Sequence, residues 1–336
     1  MTLSVRSSAS PAAVSVVLGA ILGVVAVLSL RLGYTALDWS DLVQALCHPS
    51  SPAGIIVTEI RLPRITLAAL VGAALGGGGA ALQGLFHNPL AEPGLTGVSS
   101  CAALGAVAAL YFGAGAVWPW AVPVAGLLGA ALATSAHLVL VVRGAGPLTL
   151  ILAGIALSSW ATALISLALN LAPHPYALGE LVLWLLGSVR DRSGEDVMVC
   201  LPFVVAGVAL LLACRRDLDA LALGDETAAS LGVPLARLRL QVILGSALAV
   251  GACVAVAGAI GFVGLIVPHL LRPVVGARPG RLLLPSALGG AVLLVVADAV
   301  VRLISVGPEL QVGVVTALVG APFFLILILK TARGGA

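Results

Sequence analysis

The chain has 336 residues, of which 60% are hydrophobic and 9% charged, and its mean hydropathy is +1.17. That composition excludes an ordinary soluble domain and fits a single transmembrane domain over 1–336. The net charge of +3 arises from basic residues scattered between apolar runs, which excludes a nucleic-acid footprint and leaves charge to encode topology.

Apolar runs separated by charge, Pro and Gly predict about ten spans of roughly 20 residues each. The first, 12–32, is longer than a signal-peptide core, and no A-x-A-type site follows it. Residues 33–61 carry Trp39, Cys47, His48 and several Pro and Ser, and read as a loop with one interfacial turn. The second span, 64–85, contains Gly72-x-x-x-Gly76 and the run Gly76–Gly79. Small residues let helices meet backbone to backbone, which matters in lipid because burial from water cannot drive association there. Helix packing is the plain reading of these glycines; lining a path is the other.

Asn88-Pro89-Leu90-Ala91-Glu92-Pro93 then breaks the chain where a span ends. It is either a connecting turn or a gate, since irregular backbone at membrane depth is tolerated only against protein or a water-filled cavity. Spans 94–113 and 118–142 follow, and 144–149 joins the latter to span 148–171 as a second candidate gate segment. Residues 172–195 include a short apolar run, 178–186, that lies along the surface or re-enters. His174, between Pro173 and Pro175, is either a solvated loop histidine or an external metal or haem ligand.

After span 195–214 comes the longest polar interruption, Gly224 to Pro234, running on through Arg237 and Arg239. Asp225 and Glu226 suit the first turn of a short helix, where the dipole favours anions, and Gly232 with Pro234 forms a stop signal. A helix that short cannot cross a bilayer and lies outside it. Spans 238–258, 260–271, 283–303 and 310–330 complete the chain. Placing the N-terminus inside puts eleven basic residues on the inner side against six outside, which sets both termini and the polar island in the cytoplasm.

Three of the outer arginines, Arg61, Arg64 and Arg302, fall at span ends. Snorkelling explains an isolated arginine there, whereas a cluster on the disfavoured side suits the capture of carboxylates. Asp298 and Arg302 are four apart, a spacing that permits an ion pair taking Arg302 partly out of play and making Asp298 a poor proton relay. Lys330 is the lone lysine, with no glycine among the five residues before it, so the chain carries no phosphate-cradling ATPase loop. Five cysteines without C-x-x-C spacing suggest neither a metal site nor a disulfide framework. No nucleophile triad, metalloprotease motif or paired carboxylates stand out. A Gly-rich span running into a Pro-interrupted segment occurs twice, at 71–93 and at 250–273, in opposite orientation, which points to an inverted repeat and a transporter.

Arg61-Leu62-Pro63-Arg64, the run Asn88 to Ser100, Leu231-Gly232-Val233, Gly258 to Arg272 and Gly313 to Phe324 resemble the FecCD permeases, the membrane subunits of type II ATP-binding-cassette importers for ferric siderophores, haem and vitamin B12. The resemblance runs from about Arg61 to Lys330. It implies an all-α polytopic fold of ten helices, a homodimer with its pathway on the two-fold axis, two cytoplasmic ATPase subunits that bind ATP and Mg, and a periplasmic binding protein, in a bacterial inner membrane. This chain itself would hold no cofactor and catalyse no reaction. The resemblance turns about 217–232 into the coupling helix that meets the ATPase, with Asp225, Glu226, Ala229, Leu231 and Gly232 as its contacts. It matches Arg61, Arg64 and Arg302 to positions that pair with acidic residues of the binding protein, and Asn88 with Leu90 to one cytoplasmic gate; Leu148 and Thr149 approximate the other. One departure is Cys101-Ala102, where the family has Gly-Ala. The predominance of Ala, Gly, Leu and Ser along the pathway side favours haem over a ferric siderophore as cargo, with vitamin B12 third and a proton-coupled carrier as the rival class.

Overall fold

A computed structural model describes residues 9–33, 35, 37–173, 175–305 and 309–334; His174 and the first eight residues, including Arg6, lie outside the described residues. All regular structure among the described residues is helical. In chain order it comprises α1 (Pro11–Arg31), α2 (Trp39–Cys47), α3 (Pro52–Leu85), α4 (Val98–Tyr111), a single helical turn at Ala114–Val117, α5 (Ala121–Val142), α6 (Pro147–Asn170) and α7 (Pro175–Leu185). The second half continues with α8 (Gly194–Ala213), α9 (Arg215–Leu221), α10 (Asp225–Ser230), α11 (Leu235–Ala257), α12 (Val263–Val275), α13 (Pro279–Ile304) and α14 (Val312–Gly334). Seven of these, α1, α3, α5, α6, α8, α11 and α13, are long and apolar enough to cross a membrane. Shorter apolar helices α4, α12 and α14 complete the ten predicted segments, and α7 is the short outer run.

Two helices form the axis of the bundle. The apolar windows of α3 and α11 are 78% buried, against 11% for α1 and 22% for α6 and α8, so the peripheral helices present their apolar faces outward, as lipid-facing helices do. Backbone proximity explains the centre. A methyl group added at Gly72 would fall inside the backbone of Gly290 on α13, one at Gly76 inside that of Ser286, and one at Gly79 inside that of Gly264 on α12. Of the two readings of this glycine run, packing is therefore the one seen at Gly72, Gly76 and Gly79. Gly129 of α5 backs in the same way onto the carbonyl of Cys101, whose side chain is buried.

Two spans are broken at mid-depth. With 14 and 13 residues, α4 and α12 are each about 20 Å long and cannot cross a hydrocarbon layer of roughly 30 Å alone. Residues 86–97 lead from the end of α3 back into the bundle. A Cβ at Gly78 would lie 3.5 Å from Pro93, and one at Gly264 2.9 Å from it. Gly78 is about 24 Å along α3 from Leu62 and about 10 Å from Leu85, so Pro93 lies well inside the bundle. From there a 3₁₀ turn, Pro93–Thr96, and Gly97 at φ +73° start α4. The mirror arrangement follows α11, where 258–262 turn back and Phe262 at φ +66° starts α12. The repeat predicted at 71–93 and 250–273 thus has a geometry: a long helix, an irregular return and a half-length helix, twice.

Two expected boundaries move. The predicted loop 33–61 contains α2, and from Pro52 it is helical and continuous with the second span, through a π-helical stretch at Ile56–Arg61. The expected single helix over 217–232 is two, α9 and α10, because Gly224 adopts φ +102° and ψ 154°, a backbone that only glycine takes readily and that no helix can pass through.

Candidate functional site

The island end carries α9 and α10. Helix α10 ends in a Schellman motif: Gly232 at φ +86° donates its N–H to Ala229 O at 2.9 Å, and Val233 N–H reaches Ala228 O at 3.0 Å. Ala228 points inward and is fully buried, whereas Glu226, Ala229, Leu231 and Gly232 are exposed, Leu231 to 62%. Four of the five predicted coupling residues therefore form an open face. Asp225, the fifth, is turned toward its own chain. Its Oδ2 pairs with Arg239 of α11 at 2.6 Å, and Arg239 also donates to Ala145 O at 3.3 Å, in the loop between α5 and α6. Helix α9 is anchored too, since Asp219 Oδ1 accepts from Gly280 N–H at 2.8 Å at the start of α13.

The two candidate gate segments lie beside this island. In the first, the Asn88 side chain accepts from Leu90 N–H at 2.9 Å and closes a tight turn. His87, at φ +49°, places Nε2 2.7 Å from Leu221 O, the last residue of α9. In the second, Leu148 and Thr149 sit exposed on the first turn of α6, whose buried residues Leu150, Gly154, Ala161 and Ile165 define the opposite face.

Deeper in, the return segment that precedes α4 meets the start of α12. Glu92, half-buried, accepts from Phe262 N–H at 3.3 Å, and the start of a helix is where an anion is favoured. A cavity of about 150 Å³ opens beside this pair, lined by Leu75, Glu92, Pro93, Ser99, Ile260 and Phe262. Gly320 of α14 has no side chain because the Phe262 ring occupies that space.

At the far end the three predicted docking arginines do cluster, but they point inward. Arg64 is bound to Asp298 at 2.7 Å and to Glu309; Arg302 forms an ion pair with Asp298 at 3.2 Å, as the four-residue spacing permits, and donates to Leu32 O at 2.7 Å. Arg61 donates to the carbonyls of Leu30 and Thr35. Arg61 and Arg64 are 5% and 9% exposed and the Arg302 side chain 5%, so neither an open guanidinium ring nor plain snorkelling describes them. The physical reason is that each finds acceptors within the chain: Asp298 and Glu309 for Arg64, Asp298 with the Ser29 and Leu32 carbonyls for Arg302, and the Leu30 and Thr35 carbonyls for Arg61. Arg190, 3.5 Å from Glu309, is its most exposed member at 40% of its side chain.

His87, Glu92 and Glu309 take roles that sequence reading did not give them. Only Glu92 carried a signal, as an acid between two prolines at a chain break.

Broken spans that meet inside a bundle sealed by glycine, with a polar helix pair projecting from one end, define the membrane subunit of a transporter. The chain belongs to the FecCD transport family, whose model matches residues 21–330. It is 42% identical over 286 residues to an uncharacterized ABC transporter permease protein, YvrB, of Bacillus subtilis, covering 83% of this chain and 80% of that one. It is 40% identical over 286 residues to the vitamin B12 import system permease protein BtuC of Salmonella typhi, covering 84% and 86%. A solved structure described as an inward-facing conformation of a metal-chelate type ABC transporter matches with a TM-score of 0.85 and 33% identity, over 95% of this chain and 99% of that one. The protein is a multi-pass ABC importer permease with the type II fold, and ATP hydrolysis is the work of a separate subunit.

Proposed function

We propose that this permease works as a homodimer in a bacterial inner membrane, with two cytoplasmic ATPase subunits on the island face and a periplasmic binding protein at the far end. The observation that carries the coupling part of this reading is the island itself: Ala229, Leu231 and Gly232 form an exposed patch with an apolar tip, capped by a well-formed turn. An exposed leucine on a rigid short helix suits insertion into a groove on another protein. Both termini are then cytoplasmic. Asn88 with Leu90, and Leu148 with Thr149, are the gates next to that face.

The far end is the docking face in this reading. With Arg61, Arg64 and Arg302 already occupied within the chain, Arg190 is the member that acidic groups of a binding protein reach first, and the buried cluster behind it holds its partner Glu309 in place.

The cargo is a large metal chelate. Haem is the first reading, supported by the apolar walls around the broken spans, where Leu185, Leu186, Phe262, Val314 and Ala317 line one cavity. Vitamin B12 is the second, supported by the relatives that import it; both are tetrapyrrole-type rings. A ferric siderophore is third. The test is reconstitution of the chain with its ATPase and binding protein, followed by ATP-dependent uptake of haemin, cyanocobalamin and ferrioxamine side by side. Stimulation by haemin alone supports the first reading and stimulation by cyanocobalamin alone replaces it with the second; uptake that needs a proton gradient and no ATP sinks both.

A further inference from the structure

Residues 86–97 run from the island end to the start of α12, and one side chain fastens them at each place. At the start, His87 reaches Leu221 O at 2.7 Å, at the last residue of α9, a carbonyl that also accepts from Gly224 N–H at 2.9 Å. Further on, Glu92 takes the N–H of Phe262, where α12 begins and leaves amides unsatisfied. Between the two fastenings lie Pro89, whose φ is fixed by its ring, and the Asn88 to Leu90 turn. Helix α9 is in turn clamped to α13 through Asp219 and Gly280. The backbone at both fastened points is unusual: His87 and Phe262 are two of the three non-glycine residues with positive φ among those described, the third being Asp191. Non-glycine residues hold such a conformation only where their surroundings impose it.

We propose that 86–97 is a strut through which displacement of the island reaches the broken-span junction, with His87 and Glu92 as its positioning residues. The inference rests on the reading that the island receives ATPase motion. Its plain alternative is that both side chains merely cap helix ends. The two differ in what a lost hydrogen bond changes: a cap affects stability, a strut affects the coupling of ATP hydrolysis to movement of cargo. Two residues on one strut also act in series, so losing both does little more than losing one.

The experiment uses the full complex with ATPase and binding protein in proteoliposomes and measures ATP hydrolysed per haemin, cyanocobalamin or ferrioxamine moved. His87→Ala and Glu92→Ala are each expected to raise that ratio about fivefold, a factor within reach of one lost hydrogen bond. The double variant is expected to match the worse single. His87→Gln, whose amide can donate to Leu221 O, and Glu92→Gln, whose carbonyl can accept from Phe262 N–H, should return the ratio to near the unaltered value. Thermal melting should separate none of these variants from the parent. Effects that multiply in the double variant, a ratio unchanged in the alanine variants, or melting that falls in parallel with coupling each overturn the strut. If the parent moves none of the three probes, spin labels on cysteines replacing Leu223 and Leu90 in a Cys47→Ser background give the reading. A separation unchanged by nucleotide in the parent but altered in His87→Ala supports the strut, and any other pattern overturns it. A parent chain that recruits no ATPase overturns the proposed function, and the strut with it, whereas intact uptake insensitive to these variants overturns the strut alone.

Discussion

At the far end, Arg64, Arg302, Asp298 and Glu309 lie buried and satisfy one another, while at the island end Asp225 keeps 38% of its side chain exposed beside Arg239 and Leu231 faces outward. The same kinds of residue are thus used to opposite ends. A buried charge cluster resists any movement that would separate its members, because each would be left uncompensated in a low-dielectric setting. The Asp225–Arg239 tie is more open, with 38% of the Asp225 side chain in solvent against 14% for Arg239, so water replaces part of what is lost when it separates. One end of the bundle is built to hold α3 and α13 in register, the other to be moved.

The largest expected effect tests the lock. Asp298→Ala strands Arg64 and Arg302 and should cost about 3–5 kcal/mol, seen as a strongly lowered thermal midpoint of the purified chain or failure to recover it. A midpoint like that of the parent would show that the far end is not where the bundle is held. Next in size is the seam between the two ends. Gly290→Val would drive a branched side chain into the backbone of Gly72 and should cost about 1–3 kcal/mol or more, again by melting. A neutral result there would mean that α3 and α13 can part, and that the far-end cluster alone keeps them together.

Much of this arrangement was legible in the sequence, and the rest was hidden for identifiable reasons. Hydropathy marked all ten segments, because lipid demands a long apolar run whatever the tertiary fold. The half-length spans were foreshadowed by Gly258 and Pro93, residues that interrupt helices locally. Partners were not legible. Arg64 meets Asp298 and Glu309 at separations of 234 and 245 residues, and Glu92 meets Phe262 at 170, distances over which one sequence carries no pairing signal. That is why Arg64 reads as free to capture a partner's carboxylate when it is turned inward, whereas the Asp298–Arg302 pair, four residues apart, is legible. The single helix expected over 217–232 is two for a more local reason: Gly224 starts α10 and, at φ +102°, also ends the run from α9.

Smaller effects belong to the island. Gly232→Val forces a β-branched residue into the left-handed region and should cost about 1–2 kcal/mol of local strain, enough to unwind the Schellman turn without unfolding the bundle. Circular dichroism should stay unchanged while ATP hydrolysis proceeds without uptake. Preserved coupling in this variant would demote α10 to a linker and erase the contrast between the ends.

Leu231→Ala is the smallest change to the chain and the sharpest comparison with Asp298→Ala. Leu231 is 62% exposed, so its truncation removes few internal contacts and should shift stability by no more than about 0.5 kcal/mol. If its side chain is what a partner groove holds, the same truncation removes the apolar anchor of that contact and should weaken ATPase recruitment by about 1–2 kcal/mol, read as a roughly tenfold higher dissociation constant by titration with the ATPase subunit. The two substitutions then form a crossed pair: one destabilises the fold with no partner present, and the other leaves the fold intact and weakens only the partner. A leucine-to-alanine change that lowered the melting point but not ATPase affinity would reverse the assignment, making the island an internal brace and leaving the motor to dock elsewhere on that end.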